Sequence, residues 1–302
     1  MEWSERDLSA IWHPFTHQWK KDLPINIVKG QGVYIYDDKG NQYLDAISSW
    51  WVNLHGHAHP YINQKLKEQL DKIEHVIFAG FTHEPAIELA ESLLNILPPN
   101  QSKIFYSDNG STAVEVAIKM TFQYWHNIGK PKNTFIAFED SYHGDTFGAM
   151  AVGAKSTFNE PFGNAAFNVV HLPIPNAGNI TEILKKISEL ATEHQIAGFI
   201  FEPLVQGSGG MLMYDAEYLE QMIIHCQKLD FICIADEVMT GFGRTGAMFA
   251  CDHMEVAPDI FFFFFLLKGG YLPLLVTSCT SKIYHAYLEN DPKKTFYYGH
   301  SY

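Results

Sequence analysis

The stretch that decides the fold runs from residue 231 to residue 237 and reads Phe-Ile-Cys-Ile-Ala-Asp-Glu. An apolar run that ends abruptly in two carboxylates is typical of a buried parallel strand whose carboxyl end carries polar groups. A glycine-rich loop, Thr-Gly-Phe-Gly-Arg-Thr-Gly, follows at 240–246. We therefore predict an α/β sheet with Asp236 at the edge where such sheets bind their ligands.

Six further β-rich runs alternate with helical segments around this strand. Parallel strands need such segments for their crossover connections, so the alternation favours a mostly parallel sheet flanked by helices. The predicted strands are Lys103–Tyr106, Thr134–Phe138, Val169–Leu172, Gly198–Phe201, Phe231–Ala235, Ile260–Phe265 and Leu274–Cys279. The predicted helices, with apolar residues three or four apart, are Glu84–Leu97, Thr112–Trp125, Thr181–Glu193 and Ala216–Leu229.

The first 60 residues have a different pattern, which predicts an N-terminal arm before a large domain at 61–302. Residues alternate in character over Val33–Tyr36, and Asp38–Gly40 form a turn signal. A second strand runs through Tyr43 and Leu44. We therefore predict a β-hairpin within the arm.

The composition argues against several classes of partner. A chain of 302 residues that is 47% hydrophobic can bury a substantial core, and its net charge of −13 gives little attraction for nucleic acid or anionic lipid. The four cysteines occur singly, without the spacing of a zinc site or a disulfide scaffold. The N-terminus has no signal-peptide pattern, and no apolar run approaches the ~20 residues of a membrane span. We expect a cytoplasmic protein without metal, membrane or nucleic-acid partners.

A second polar motif, Ser-Asp-Asn-Gly-Ser-Thr at 107–112, follows a predicted strand and opens a predicted helix. Gly110 permits close backbone approach, the hydroxyls of Ser111 and Thr112 can donate, and the N–H groups of a first helical turn favour an anion. Thr112 and Glu115 have the spacing of a capping box. The motif predicts a phosphate site. Its alternative interpretation is a polar turn that only caps the helix.

Tyr142 and His143 lie in a third motif, Asp-Ser-Tyr-His-Gly-Asp-Thr, again directly after a predicted strand. Tyr142 can stack on a flat heteroaromatic ring. His143 beside Asp145 suits acid–base chemistry or a structural role, but two such side chains without a third ligand make a poor metal site. A buried Asp236 needs a cationic partner, such as a protonated pyridine nitrogen, or strong hydrogen bonds. The alternative interpretation is a solvated acid at the strand end or a salt bridge to Arg244.

Together these motifs resemble those of the class III pyridoxal-phosphate-dependent aminotransferases of fold type I, over essentially the whole chain. The matching phrases are Ser-Asp-Asn-Gly-Ser-Thr-Ala-Val-Glu (107–115), Tyr-His-Gly-Asp-Thr-Phe-Gly-Ala-Met (142–150), Phe-Glu-Pro-Leu-Val-Gln-Gly (201–207) and Ala-Asp-Glu-Val-Met-Thr-Gly-Phe-Gly-Arg-Thr-Gly (235–246). In the arm, Ile-Trp-His-Pro-Phe-Thr (11–16) and Ser-Ser-Trp-Trp-Val-Asn-Leu-His-Gly-His (48–57) resemble the biotin-pathway branch of this family. The resemblance implies a large domain with a mostly parallel seven-stranded sheet.

The resemblance also implies a site for pyridoxal 5′-phosphate. In that site Gly110 and Ser111 would hold the cofactor phosphate, and Asp236 would pair with the pyridine nitrogen. Tyr142 would stack against cofactor and substrate, and Trp50 would line the substrate site.

Three residues near the C-terminus have implied roles in a homodimer. Gly299 would touch the substrate, while His300 and Ser301 would reach the cofactor phosphate of the partner subunit. The family continues beyond this point into a small C-terminal domain. The resemblance therefore implies that this domain is missing here, together with a distal arginine for the substrate carboxylate.

Transamination of this kind depends on a lysine that holds the cofactor covalently and moves the proton of the substrate Cα. The family places it in the order Pro-Asp-Ile, a few apolar residues, Ser-Lys, three residues, Gly-Gly. Both flanks are intact here, as Pro258–Ile260 and Gly269–Gly270, and Phe265 stands at the lysine position. Lys268 is the candidate substitute, although a shift of three strand residues spans about 10 Å.

The implied activity is transfer of an amino group from S-adenosylmethionine to 8-amino-7-oxononanoate, which gives 7,8-diaminononanoate for biotin synthesis. With phenylalanine at position 265, we expect this activity to be impaired. Two alternatives stay open. One is a class III aminotransferase for another diamine or ω-amino acid, and the other is a catalytically silent fragment or interaction module.

Overall fold

The computed structural model describes residues 2–16, 19, 23–154, 162, 167–263 and 269–299. The chain forms two compact units, one of Met1–His75 with Gly269–Tyr271 and the other of Val76–Lys268 with Leu272–Tyr302. Within the described ranges, no helix has both the length and the apolar character that crossing a membrane requires.

The first unit contains a three-stranded antiparallel sheet. Its strands are β1 (Ile27–Gln31), β2 (Tyr34–Asp37) and β3 (Gln42–Leu44), and its helices are α1 (Trp3–Ala10), α2 (Ser48–Trp51) and α3 (Pro60–Leu70). The Asp37 carboxylate closes the β2–β3 hairpin, because it accepts from the N–H groups of Lys39 and Asn41 and from the Tyr43 hydroxyl at 2.7 to 3.0 Å. The predicted hairpin is present, and β1 adds a strand that the sequence pattern did not reveal.

Helix α2 is a single left-handed turn. All four of its residues have positive φ, between 47° and 69°. Such backbone costs roughly 1–2 kcal/mol for each residue other than glycine. Asp45 stabilises the turn, because its carboxylate accepts from the N–H and the hydroxyl of Ser49 at 2.9 and 2.7 Å and lies 2.9 Å from Nε2 of His57. The turn carries Trp50, for which the resemblance implies a substrate contact.

Replacing Asp45 with alanine is expected to loosen α2, because Ser49 and His57 lose their acceptor while the cost of the left-handed backbone stays. Peptides covering residues 45–57 should exchange amide hydrogens at least about tenfold faster in Asp45→Ala than in the wild type. Hydrogen–deuterium exchange measures this. Asp71→Ala, at the exposed end of α3, is the control and should leave those peptides unchanged. Equal exchange in Asp45→Ala and wild type would contradict the stabilising role.

The second unit is built on one seven-stranded sheet. Its strands in chain order are β4 (Gln101–Ser107), β5 (Thr134–Phe138), β6 (Asn168–Leu172), β7 (Ile196–Phe201), β10 (Ile232–Asp236), β11 (Ile260–Phe263) and β12 (Leu275–Thr280), with a separate hairpin of β8 (Val205–Gln206) and β9 (Leu212–Met213). The helices are α4 (Glu84–Ile96), α5 (Gly110–Asn127), α6 (Phe147–Val152), α7 (Ile180–Glu193), α8 (Ala216–Lys228) and α9 (Ser281–His285). Two 3₁₀ turns, Ala250–His253 and Pro292–Lys294, complete the described elements.

The spatial order of the sheet is β4-β12-β11-β10-β7-β5-β6. Every pairing from β11 to β6 is parallel, whereas β12 is antiparallel to both β11 and β4. The mostly parallel seven-stranded sheet is thus confirmed, and the seven strands and four helices predicted from sequence are present, with shifts of at most two residues at the ends that the structure describes. Positions 264 and 265 of the predicted sixth strand lie outside the described residues.

Two apolar layers cover the two faces of the sheet. Alternate residues of one strand enter different layers: Ile136 and Phe138 pack with α7 and α8, whereas Phe135 and Ala137 pack with α5 and α6. Strand β11 divides in the same way. Burial on both faces explains why these strands are almost continuously apolar rather than alternating.

The parallel strands β5, β7, β10 and β11 are direct neighbours, so their carboxyl ends meet at one edge of the sheet. Open α/β sheets bind ligands in the crevice outside such ends. The chain places a polar segment there after each of three strands, at Tyr142, Glu202 and Asp236.

Candidate cofactor site

The three polar motifs converge in the second unit. The Asp145 N–H donates to Ser111 Oγ at 3.0 Å, which joins the loop after β5 to the start of α5. His143 Nδ1 lies 2.6 Å from Asp236 Oδ2, which joins the same loop to the end of β10. A Cβ on Gly110 would lie 3.9 Å from Cγ1 of Val238. The segments predicted to hold phosphate, ring and pyridine nitrogen are therefore neighbours.

Helix α5 begins at Gly110 and is capped by Asn109, whose side-chain oxygen accepts from the Thr112 N–H at 3.1 Å. The predicted capping box of Thr112 with Glu115 is wrong. Thr112 is the third residue of the helix, and its hydroxyl donates back to the Asn109 carbonyl at 2.8 Å. Asn109 takes the cap position because it has extended backbone, whereas Thr112 is already helical.

The cap leaves the first turn of α5 suited to an anion. The first helical hydrogen bond comes from the Ala113 N–H, and the cap takes the Thr112 N–H, so the N–H groups of Gly110 and Ser111 precede both. The Ser111 oxygen accepts from Asp145, which leaves its own hydrogen for another acceptor. Two backbone donors and one hydroxyl at a helix N-terminus are a suitable set for phosphate.

Tyr142 presents a partly exposed ring at this edge, with 43% of its surface accessible. Its hydroxyl donates to Asp145 Oδ2 at 2.9 Å, and its backbone N–H donates to Glu202 Oε1 at 3.0 Å. Burial, followed by the neighbouring Asp145, raises the pKa of the Tyr142 hydroxyl well above its usual value. The Tyr142 hydroxyl therefore stays protonated at neutral pH. Hydrogen bonds hold the residue at its hydroxyl and at its backbone N–H.

The two successive carboxylates at the end of β10 have separate partners. Asp236 is buried, pairs with His143 and also accepts from the Val238 N–H at 3.1 Å. Glu237 faces the glycine-rich loop, and it accepts from the Cys251 N–H at 2.8 Å and from the Thr240 hydroxyl at 2.5 Å. Asp236 is therefore the carboxylate that joins β10 to the loop containing His143, while Glu237 anchors the glycine-rich loop.

His143 is a buried histidine whose two ring nitrogens have different surroundings. Its ring is buried, and among the described residues its Nε2 has no hydrogen-bond partner although Nδ1 is paired with Asp236. No group of three or more histidine, cysteine, aspartate or glutamate side chains in the described part of the chain is arranged for a metal ion.

Glu202 is a site residue that the sequence interpretation did not assign. It follows β7 directly, is buried, and accepts from the Tyr142 and Gly207 N–H groups at 3.0 Å each. Burial raises the pKa of Glu202 to about 7, and the nearby Asp236 adds to the rise while His143 opposes it. The signal was available, since Phe201-Glu202-Pro203 places a carboxylate at a strand end as β10 does.

Glu202 should make stability fall as pH rises. Between its ordinary pKa near 4.5 and the folded value of about 7, the folded chain keeps a proton that the unfolded chain has lost. Its favourable contribution, about 3 kcal/mol, is therefore complete below pH 4.5 and lost as pH passes 7. Urea unfolding at pH 5 and pH 8 should show this loss in the wild type and not in Glu202→Gln. An equal loss of stability in the wild type and in Glu202→Gln would contradict the prediction. Such a loss would come from buried carboxyls that both proteins share, such as Glu237 and Asp259.

The other predicted site residues either make contacts of their own or lie outside the described residues. Trp50 belongs to the first unit, is 61% exposed, and stacks on Phe15 with 5.7 Å between ring centroids. Gly299 is exposed and follows Tyr298, whose ring lies 4.3 Å from Lys119 Nζ. Four predicted positions lie outside the described residues: Phe265, Lys268, His300 and Ser301.

The described residues fit pyridoxal phosphate by the chemistry of their donors and acceptors. The start of α5 offers neutral donors to a phosphate, Tyr142 offers an aromatic face, and the buried Asp236 carboxylate can accept from a protonated ring nitrogen. Gly144 contributes by its lack of a side chain, because a Cβ there would lie 2.2 Å from Ser111 Oγ.

This fold and site define a class of enzyme, and comparison with known proteins agrees. The sequence profile of the family described as Aminotransferase class-III matches residues 15–299. The chain belongs to the class III aminotransferases, a family that uses pyridoxal phosphate.

Within this family the chain is similar to enzymes of one particular activity. The adenosylmethionine-8-amino-7-oxononanoate aminotransferase of Synechococcus elongatus is 48% identical over 300 residues, which cover 97% of this chain and 71% of that protein. The Staphylococcus aureus enzyme of the same name is 44% identical over 99% of this chain and 70% of its own length. The crystal structure of the Methanocaldococcus jannaschii enzyme matches with a TM-score of 0.93 at 39% identity, covering 99% of this chain and 70% of that one.

Proposed function

We propose that this chain is an aminotransferase of the biotin pathway, acting on S-adenosylmethionine and 8-amino-7-oxononanoate, whose catalytic step is impaired at position 265. The observation that carries the proposal is the convergence of Ser111, Tyr142 and Asp236 at one sheet edge. The identity of 48% to the adenosylmethionine-8-amino-7-oxononanoate aminotransferase of Synechococcus elongatus supports the choice of substrates.

Each described residue has a defined task in the proposed site. Gly110 and Ser111 bind the phosphate through the start of α5, and Tyr142 orients the ring by stacking. Asp236, held by His143, keeps a proton on the pyridine nitrogen through its buried negative charge. When bound, pyridoxal phosphate supplies the electron sink that makes the substrate Cα proton removable.

The missing task is the removal of that proton. The family assigns it to a lysine, and a phenylalanine side chain at 265 has no group that can hold the cofactor covalently or accept a proton. Lys268 is the candidate substitute. The proposed site therefore recognises the cofactor without a lysine at the family's position.

Calorimetric titration tests the proposal. The wild-type chain should bind pyridoxal phosphate saturably, with one molecule per chain. The loaded protein should then bind 8-amino-7-oxononanoate more tightly than ornithine or 4-aminobutyrate. Preference for one of the latter would favour a class III aminotransferase for another diamine or ω-amino acid. Absence of saturable cofactor binding would contradict the proposal.

A catalytically silent chain is the second candidate, and Phe265 is the observation that favours it. Borohydride reduction of the cofactor-loaded protein, followed by peptide mapping, separates the two. A pyridoxyl group on Lys268 would show that this lysine substitutes and would exclude the silent chain. Lys132 is the internal control for non-specific labelling, because burial lowers its pKa to about 8 and leaves more of its amine unprotonated than in an ordinary lysine.

We also infer a cytoplasmic homodimer. Several large apolar side chains of the first unit are exposed, among them Trp12 at 86% and Trp19 at 81%, which suits an interface between copies. All four cysteines are free and buried, which suits a reducing compartment. Light scattering should give a mass of about twice 34.3 kDa, and a monomer at micromolar concentration would contradict the dimer.

A further inference from the structure

Glu115 lies one turn after Ser111 on α5 and contacts the same loop. The two residues are four positions apart, so they share a helix face. Glu115 Oε1 accepts from the Thr146 hydroxyl at 2.6 Å and from the Gly148 N–H at 2.8 Å. Ser111 accepts from the Asp145 N–H at 3.0 Å, so α5 contacts the segment after β5 at two positions that are one helical turn apart.

Two glycines let the loop come this close. A Cβ on Gly144 would lie 2.2 Å from Ser111 Oγ, and a Cβ on Gly148 would lie 2.3 Å from Glu115 Oε2. Neither distance is compatible with a real side chain. The loop backbone therefore lies directly against both side chains of α5.

Glu115 also replaces the missing cap of α6. The residue before that helix, Thr146, makes no side-chain cap bond to it. Its hydroxyl donates to Glu115 instead, and Glu115 accepts one of the N–H groups that a helix start leaves without an intrahelical partner. A carboxylate at this position is further favoured by the helix dipole.

We propose that Glu115 is a positioning residue that sets the register of the segment Tyr142–Gly148, the loop after β5 and the start of α6, against α5. In this register Tyr142 donates to Asp145, and the Asp145 N–H donates to Ser111. The ring-stacking tyrosine and the phosphate-binding serine are thus aligned through one aspartate. The inference rests on the cofactor site proposed above and adds a residue that touches neither cofactor nor substrate.

Three variants and a control test the positioning role through dissociation constants for pyridoxal phosphate and for pyridoxal, which lacks the phosphate. Glu115→Ala should weaken pyridoxal phosphate at least about tenfold, the cost of losing hydrogen bonds to a charged group, and pyridoxal by much less. Glu115→Gln keeps the Oε1 acceptor and should retain most of the affinity. Glu217→Ala, in the exposed first turn of α8, is the matched control and should bind as the wild type does.

The third variant, Thr146→Val, keeps the experiment decisive if Glu115→Ala does not fold. It removes one of the two bonds and should weaken pyridoxal phosphate by about threefold or more. Wild-type affinity in Thr146→Val or Glu115→Ala would overturn the positioning role, and so would equal weakening of both ligands with no rescue by Glu115→Gln. Failure of the wild-type chain to bind pyridoxal phosphate would instead contradict the proposed function.

Discussion

The double variant Phe264→Ser, Phe265→Lys is expected to bind pyridoxal phosphate covalently and to gain transaminase activity on the order of 10²–10⁴-fold over the wild type, the range for one positioned proton-transferring group. The flanks Pro258–Ile260 and Gly269–Gly270 match the family spacing without insertion. Phe262 pairs with Asp236 in the parallel register of β10 and β11, so β11 runs toward the candidate cofactor site.

Borohydride labelling and a coupled assay with S-adenosylmethionine and 8-amino-7-oxononanoate measure this result. Phe264→Ser alone is the control, since it makes the same polar change without supplying an amine. The pyridoxyl group should appear on residue 265 in the double variant. A double variant that is labelled there and still inactive with these substrates would refute the proposed substrates, and one without label at 265 would refute the assignment of the lysine position.

Asp236→Ala is expected to cost both stability and cofactor affinity. The buried His143 loses its partner, which should lower the free energy of unfolding by about 2–3 kcal/mol. The affinity for pyridoxal phosphate should fall by about 10- to 100-fold, because a charge-assisted hydrogen bond of about 1.5–3 kcal/mol is lost.

Asp236→Asn separates charge from packing. The amide can still accept from the Val238 N–H and hydrogen-bond to His143, so stability should stay closer to the wild type than in Asp236→Ala. Cofactor affinity should nevertheless fall, because the negative charge is gone. Urea unfolding and calorimetry give the two numbers. Wild-type affinity in Asp236→Asn would show that Asp236 does not act through its charge.

Much of this fold follows from local pattern. Strands buried on both faces must be apolar throughout, so β5, β7 and β10 stand out in sequence, and the polar residues that end them locate the sheet edge. The direction of β12 does not follow, because alternation of strands and helices favours parallel pairing and carries no sign of one reversed strand.

The parts of the site that were missed depend on contacts between distant segments. Thr112 has the right spacing for a capping box, but Asn109 is an equally good cap, and only the backbone conformation decides between them. The partners of Glu115 and Glu202 lie 31 and 60 residues away at Thr146 and Tyr142, beyond any local pattern. In the first unit, the left-handed turn α2 contains no glycine, the residue type that would have indicated a positive φ.

The reversed strand β12 has a consequence for the order in which the sheet is assembled during synthesis. Strand β4 is the first strand of the sheet to leave the ribosome, yet among the described strands it pairs only with β12, and the contact from Gln101 to Ser278 spans 177 residues. At the usual ~5–20 residues per second, β4 waits on the order of ten seconds or more for its neighbour. During that interval the backbone N–H and C=O groups of β4 lack their partners in the sheet, and the proposed phosphate site at the start of α5 lies directly after this unpaired strand.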